Sequence, residues 1–301
     1  MENNKIYDIA CIGNYTKDTI VSPSGVKFVD GGACNYSAHA SACLGLNVAV
    51  VTHLSREDER VIDKLQQAGI SCFASYTPCS TQIRLEYPTH NVDIRTLYVT
   101  STAGVVRADE LEHLNTRAAV IGTSFRGEID LDVFPMLHGR GVLLAADVQG
   151  FVRVLRGDTL IYESWDDMPS VLSHVDILKS DAVEAEFLTG ESDLHKAAQF
   201  YAKLGPREIV LTHKEGVLFY ANGQFYEAGF YPEKMDGRSG RGDTCIGAYV
   251  AMRLSKPPFE AGIWAAALTS LKMETLGPFN RTIAEVEDLV QRKYRNGSKN
   301  S

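Results

Sequence analysis

A glycine turn running into a helix, Gly240-Arg241-Gly242-Asp243-Thr244-Cys245, holds the residues of this chain best suited to chemistry. The run after it, Ile246-Gly247-Ala248-Tyr249-Val250-Ala251-Met252, is mostly apolar and compatible with a helix. A turn of this kind leaves several backbone N–H groups of the first helical turn without intrahelical partners, at the positive end of the helix dipole. Phosphate fits there. Asp243 would repel an anion if binding were the only task of the turn. It makes sense as the group that takes a proton from an alcohol attacking the phosphate, and an anion cradle beside a base is the minimum apparatus for phosphoryl transfer to a hydroxyl. The other reading of Asp243 is an ordinary helix N-cap.

The elements around this turn are legible from periodicity. Ile6–Ile12, Asn47–Thr52, Ala118–Ile121, Val142–Asp147, Ile177–Lys179 and Glu208–Thr212 read as buried strands. Amphipathic segments lie between them at Ala33–Leu44, Glu57–Ala68, Asp181–Leu188 and Leu194–Leu204. Alternation of this kind predicts an α/β fold with a parallel sheet covered by helices. Two segments are too polar for that sheet. Thr19–Val29 reads as a hairpin around Pro23-Ser24-Gly25, and Thr81–Thr100 as half-polar strands around Pro88-Thr89-His90-Asn91. They suit a small secondary sheet serving as a lid over a site. A hairpin turning at Asn222-Gly223 follows, then helices at about 243–255, 259–275 and 281–294 and a polar tail.

Composition excludes several classes. The 301 residues are 45% hydrophobic and 23% charged, as in an ordinary globular protein, and suffice for one large core. A net charge of −8 argues against non-specific binding to nucleic acid or anionic membranes. The six cysteines are scattered with no Cys-x-x-Cys pair, and the eight histidines show no metal-ligand spacing. With no signal pattern after Met1 and no run long enough to span a membrane, the expectation is a cytoplasmic protein with reduced thiols.

Taken in order, the motifs resemble those of the PfkB/ribokinase family of carbohydrate kinases over nearly the whole chain. Gly13-Asn14-Tyr15-Thr16-Lys17-Asp18 is similar to the family's early Gly-x-x-x-x-Asp, and Gly31-Gly32 before a small-residue helix to its di-glycine segment. Asp181-Ala182-Val183-Glu184 followed by Leu188-Thr189-Gly190 is similar to its Asn-x-x-Glu motif, and Gly240-Arg241-Gly242-Asp243 to its Gly-Ala-Gly-Asp anion hole. The chain departs from the family at Gly237-Arg238-Ser239, at Asp181 in place of Asn, at Tyr36 in place of a polar Asn, and at Leu211-Thr212-His213-Lys214-Glu215-Gly216, which lacks a glycine of the nucleotide segment. Ala145-Ala146-Asp147-Val148-Gln149-Gly150-Phe151-Val152-Arg153 is similar to a stretch of family members thought to act on myo-inositol.

The resemblance implies a ribokinase-like three-layer α/β/α fold in a single domain over 1–301, with the lid inserted, and ATP-dependent, Mg²⁺-requiring phosphorylation of a small polyol. Asp243 would be the general base beside the anion hole of Gly240, Arg241 and Gly242. Arg241, where the family has a small residue, either reaches a phosphate or points to solvent. Asp18, Gly31, Gly32, Asp147, Gln149 and Arg153 would bind the acceptor, with a surface charge as the other reading of Arg153. Asp181, Glu184, Thr212 and Gly216 would bind the nucleotide, and Asp181 and Glu184 the metal through waters. A cyclitol such as myo-inositol is the first expectation for the acceptor. Another sugar or a nucleoside, and a degenerate kinase that only binds sugar, are the alternatives. An apolar lid face (Ile20, Val26, Phe28, Ile83, Leu85) is expected to pair two copies into a homodimer.

Overall fold

A computed structural model describes residues 5–89 and 95–295. The Pro88–Asn91 turn runs into residues outside this set, and the polar tail lies outside it. In chain order the first elements are β1 (Tyr7–Ile12), β2 (Thr16–Ser22), β3 (Gly25–Gly31), α1 (Ala33–Cys43), β4 (Val48–Leu54), α2 (Arg60–Gln67) and β5 (Ser71–Tyr76). There follow β6 (Thr81–Glu86), β7 (Thr96–Ser101), β8 (Thr116–Ile121), α3 (Val133–Gly139), β9 (Leu143–Asp147), α4 (Gln149–Val152), β10 (Arg153–Arg156) and β11 (Thr159–Tyr162). The last are α5 (Met168–Leu172), β12 (Ile177–Asp181), α6 (Ala182–Thr189), α7 (Leu194–Ala202), β13 (Glu208–Thr212), β14 (Gly216–Ala221), β15 (Gln224–Gly229), α8 (Arg241–Arg253), α9 (Pro258–Lys272) and α10 (Ile283–Leu289).

The main sheet has nine strands in the order β15-β14-β13-β12-β9-β8-β1-β4-β5. Its seven strands from β13 to β5 are parallel, while β14 and β15 close one edge as an antiparallel hairpin. Alternate side chains along each strand feed separate cores. Ile9, Cys11, Val48 and Val50 pack with α1, α8 and α9 on one side, and Ile12, Ala119, Ile121 and Leu144 pack with α3 and α7 on the other. This is the three-layer α/β/α arrangement. Among the described residues no helix is long and apolar enough to cross a membrane.

A second sheet of six strands, β10-β11-β7-β6-β2-β3, stands apart from the first. Two of its strands, β10 and β11, carry no alternation strong enough to be read from the sequence, and neither does the main-sheet edge strand β5. Register decides which side chains share a face. Asp18 pairs with Ile83 and Ile20 with Leu85, while Ile83 pairs with Val99 and Leu85 with Leu97. These residues therefore share one face, and Ile83, Leu85, Val99 and Phe125 form a small core beneath it. Val26 and Phe28 lie on the opposite face, 56% and 77% exposed. The five apolar residues grouped from the sequence thus split between two faces, because a period of two reverses direction at every residue.

The small residues of α1 have a packing role. A Cβ on Gly247 of α8 would fall 2.6 Å from the Ser37 Cα, so the two helices approach at backbone distance. Ser37 Oγ donates to the Asp243 carbonyl at 2.8 Å and Ser41 Oγ to the Gly247 carbonyl at 3.2 Å. These contacts fix the start of α8 against the start of α1.

Candidate active site

The glycine turn is an open helix N-terminus. Gly240 is the N-cap of α8, with φ of 77° and ψ of 10°, and no side chain caps the helix. The first helical bond runs from Thr244 N to the Gly240 carbonyl at 2.9 Å, which leaves the amides of Gly242 and Asp243 ahead of it. Asp243 is the third helical residue rather than the cap. Conformation favours glycine at Gly240, and contacts require it at both Gly240 and Gly242. A Cβ on Gly240 would stand 2.3 Å from the Tyr36 ring, and one on Gly242 would stand 2.5 Å from Lys179 Nζ.

Two cavities of about 80 Å³ each meet at Asp243. The first lies between the small sheet and the start of α1, and its walls include Asp18, Gly32, Tyr36, Leu85, Gln149 and Asp243. Gly31 lies behind it, where a Cβ would stand 2.3 Å from Asp18 Oδ2, so a side chain there would displace Asp18. Asp18 is 8% exposed, and its Oδ1 has no hydrogen-bond partner among the described residues. Burial, with Asp243 nearby, pushes its carboxyl up to about 7. A buried acceptor without a donor is what a hydroxylated ligand would satisfy.

The second cavity is formed by the ends of β12 and β13, the start of α8 and the 238–239 loop. Arg95, Arg153, Lys179, Arg238 and Arg241 line it together with Gln149, Asp181, Thr212, Ser239 and the turn itself. Among the described residues, no aliphatic or aromatic side chain lines it. Arg241 faces this cavity, and burial together with neighbouring Arg238 lowers its pKa, a mark of crowded positive charge. Thr212 Oγ1 is buried without a partner among the described residues. Asp243 joins both cavities, and burial followed by the Asp147 charge pushes it up to about 6, against Lys179 and Arg153.

Besides Gly31, three of the expected ligand contacts are not walls of either cavity. Asp147 lies under the junction, where its Oδ2 pairs with Lys179 Nζ at 2.8 Å and its Oδ1 accepts from the Gln149 amide at 3.0 Å. Glu184 is fully buried, 3.1 Å from Arg153 and 3.9 Å from Lys179. Together with Asp181 it forms a reciprocal capping box at the start of α6, so its carboxylate is already committed. It supports the cations instead of reaching a metal. Gly216 is needed where β14 passes β15, because a Cβ would fall 2.4 Å from the Ala228 carbonyl. Arg153, by contrast, is 8% exposed and lines both cavities, which removes the surface-charge reading.

Sequence reasoning missed Lys179, Arg95, Arg238 and Lys272. Lys179 had a signal, a charge inside an otherwise apolar buried strand. Arg95 and Arg238 had none, since each sits in a polar segment and only the fold brings it to the cavity. Lys272 reads as the usual cation in the last turn of a helix, yet it is fully buried.

The family model for pfkB family carbohydrate kinases matches residues 1–281. The chain belongs to that family. Among solved structures, a sulfate complex of a pyrophosphate-dependent kinase in the ribokinase family is 33% identical, covering 93% of this chain and 99% of that one, with a TM-score of 0.87. A pyrophosphate-dependent ribokinase-family kinase complexed with a pyrophosphate analog and myo-inositol is 32% identical, with a TM-score of 0.85 and the same coverage. The ribokinase of Arabidopsis thaliana, complexed with ribose and ATP, is 18% identical with a TM-score of 0.77 over 95% of this chain and 99% of that one, a likeness of fold. A cytidine kinase of Thermococcus kodakarensis is 24% identical over 254 residues, 81% of this chain and 87% of that protein. The protein is thus a ribokinase-like carbohydrate or cyclitol kinase of α/β architecture.

Proposed function

We propose that this kinase transfers a phosphoryl group from pyrophosphate to a hydroxyl of a cyclitol, with myo-inositol as the acceptor. The observation that carries the donor is the second cavity, whose lining has four arginines and a lysine but, among the described residues, no apolar side chain. A nucleobase needs apolar or aromatic surface to stack on, whereas a compact polyanion needs convergent donors and positive charge. ATP, the donor that the family resemblance implies, finds no such surface among the described residues of these walls. The pyrophosphate-dependent relatives support the same choice.

The first cavity suits a small hydroxylated ring. Asp18 offers carboxylate oxygens to neighbouring hydroxyls, Gln149 offers both donor and acceptor, and Ile83, Leu85 and Leu97 present an apolar roof to a C–H face. In a relative 32% identical, two changes to leucine converted a pyrophosphate-dependent myo-inositol-1 kinase into a myo-inositol-3 kinase.

In the proposed reaction the acceptor hydroxyl oxygen attacks the near phosphorus, its proton passes to Asp243, and the bridging P–O bond breaks to release phosphate. The carboxylate is ionised above about pH 6 and still basic enough to take the proton as the O–P bond forms. The amides at the start of α8 and the arginines around them neutralise charge on the transferring oxygens. A hydrated Mg²⁺ needs only one or two protein carboxylates besides its phosphate ligands, and Asp181 at the cavity wall fits that need while Glu184 does not. When bound, it would supply charge neutralisation on the donor.

The test is a matrix of pyrophosphate and ATP against myo-inositol, ribose and cytidine, read by phosphorus NMR. Turnover with pyrophosphate and myo-inositol above every other pair is expected. Higher kcat/KM with ATP would overturn the donor, and higher kcat/KM with ribose or cytidine would overturn the acceptor.

A further inference from the structure

Lys272, at the end of α9, is 0% exposed although no carboxylate forms an ion pair with it among the described residues. Its Nζ donates to the Gly237 carbonyl at 2.7 Å and to the Ser239 carbonyl, and lies 5.0 Å from the centre of the Tyr36 ring. Tyr36 in turn packs under Gly240. The loop is also tied to α9 through its backbone, with Asp236 N and Gly237 N donating to the Met273 carbonyl at 3.0 and 2.8 Å. Of these contacts, only those of Lys272 reach the residue next to the anion cradle.

The peptide between Ser239 and Gly240 is trans, so its C=O and N–H point in opposite directions. Holding the Ser239 carbonyl toward Lys272 therefore turns the Gly240 N–H away from Lys272. It also keeps a partially negative oxygen out of the site where phosphoryl oxygens would sit. An apolar side chain of similar length would fill the same space and release that carbonyl.

We propose that Lys272 is a positioning residue for phosphoryl transfer, whose buried ammonium grips the Ser239 and Gly237 carbonyls and so aims the Gly240 N–H and its turn at the transferring group. The inference rests on the kinase reading of the cradle. The ammonium feels the Asp243 charge from α8 and lies over the Tyr36 ring of α1, while Asp236 and Arg238 of the loop and Lys27 of β3 line the adjoining groove with Lys272. Burial lowers the lysine to about 8, opposed by Asp243, so the grip weakens as pH rises through that value.

The experiment compares wild type with Lys272→Met, Lys272→Ala and Lys272→Arg in melting, pyrophosphate binding by calorimetry, and kcat and KM from pH 6 to 10. Lys272→Met is expected to bind myo-inositol with little change in KM, bind pyrophosphate more weakly and lose roughly 10²-fold in kcat. Methylammonium should restore part of the kcat of Lys272→Ala, since it can re-enter the space with its charge. The wild-type alkaline limb near pH 8 should move upward in Lys272→Arg, whose guanidinium stays charged. Wild-type kcat in Lys272→Met, or a folded Lys272→Ala that methylammonium does not help, would overturn the proposal. If the apolar variants do not fold, an alkaline limb unchanged in Lys272→Arg overturns it. A wild type inactive with every donor–acceptor pair would fail the kinase reading itself. The lysine's role then stands or falls on whether pyrophosphate binding weakens above pH 8 in wild type and not in Lys272→Arg.

Discussion

Replacing Asp18 with asparagine should stabilise this protein while disabling it. Asp18 is buried beside Asp243, with one carboxylate oxygen lacking a partner among the described residues, and its pKa rises from the ordinary 3.8 to about 7. A native pKa above the unfolded one means that the folded state holds more protons between those values, so stability falls as pH rises through the window. Above pH 7 the full penalty applies. The gap between 3.8 and about 7 corresponds to roughly 4 kcal/mol. Asparagine keeps the shape, carries no charge and places an amide donor toward Asp243. At roughly 2 °C per kcal/mol for a chain of this size, Asp18→Asn should melt up to about 8 °C higher than wild type at pH 8. By pH 5 the wild-type carboxyl is protonated in the folded state, and the advantage should shrink to about 2 kcal/mol or less. Scanning calorimetry at pH 5, 6, 7 and 8 reads this directly, alongside a roughly 10²-fold loss of kcat/KM for the polyol. A variant no more stable than wild type at pH 8, or equally stabilised at pH 5 and 8, would refute the reasoning.

Asp243→Asn should lower kcat by roughly 10²–10⁴ while leaving pyrophosphate binding intact, and near-normal turnover would remove Asp243 as the base. In wild type, kcat/KM should fall as pH drops through about 6, where Asp243 takes up its proton. An acid limb that persists in a partly active Asp243→Asn would point to another group. Gly242→Ala puts a Cβ 2.5 Å from Lys179 Nζ, which must then shift from Asp147; calorimetry should show pyrophosphate binding weakened at least tenfold, and unchanged binding would count against the lysine as a donor ligand. Arg241→Met should weaken pyrophosphate roughly 10-fold and reduce the salt dependence of its affinity, with the KM of the polyol unmoved. Light scattering should show a dimer that Phe28→Asp dissociates, since Val26 and Phe28 form an exposed apolar pair on the outer face of the small sheet; a wild-type monomer at all concentrations would remove that assembly.

Local pattern was enough to place most strands of the main sheet, most of its covering helices and the glycine turn, but not β5, α3 or α5. Buried parallel strands are continuous apolar runs, and a helix that follows Gly240-Arg241-Gly242 must leave its first amides open wherever the rest of the chain goes. Asp18, Gly32, Gln149, Asp181, Thr212 and Asp243 were found by motif and all line one of two adjoining cavities. Tertiary structure alone decided which charges meet which. Asp147 and Glu184 carry the same carboxylate as Asp18, but the end of β9 and the start of α6 set them against Lys179 and Arg153, where ion pairs already engage them. Arg95 and Arg238, more than a hundred positions apart, converge on one cavity because the small sheet and the 236–239 loop close over the same helix start. Lys272 looks like any last-turn lysine until α9 packs against α8 and turns its ammonium inward to the carbonyls that precede Gly240. A motif records chemistry that local backbone geometry imposes. The direction of a buried charge depends on what the rest of the chain packs around it.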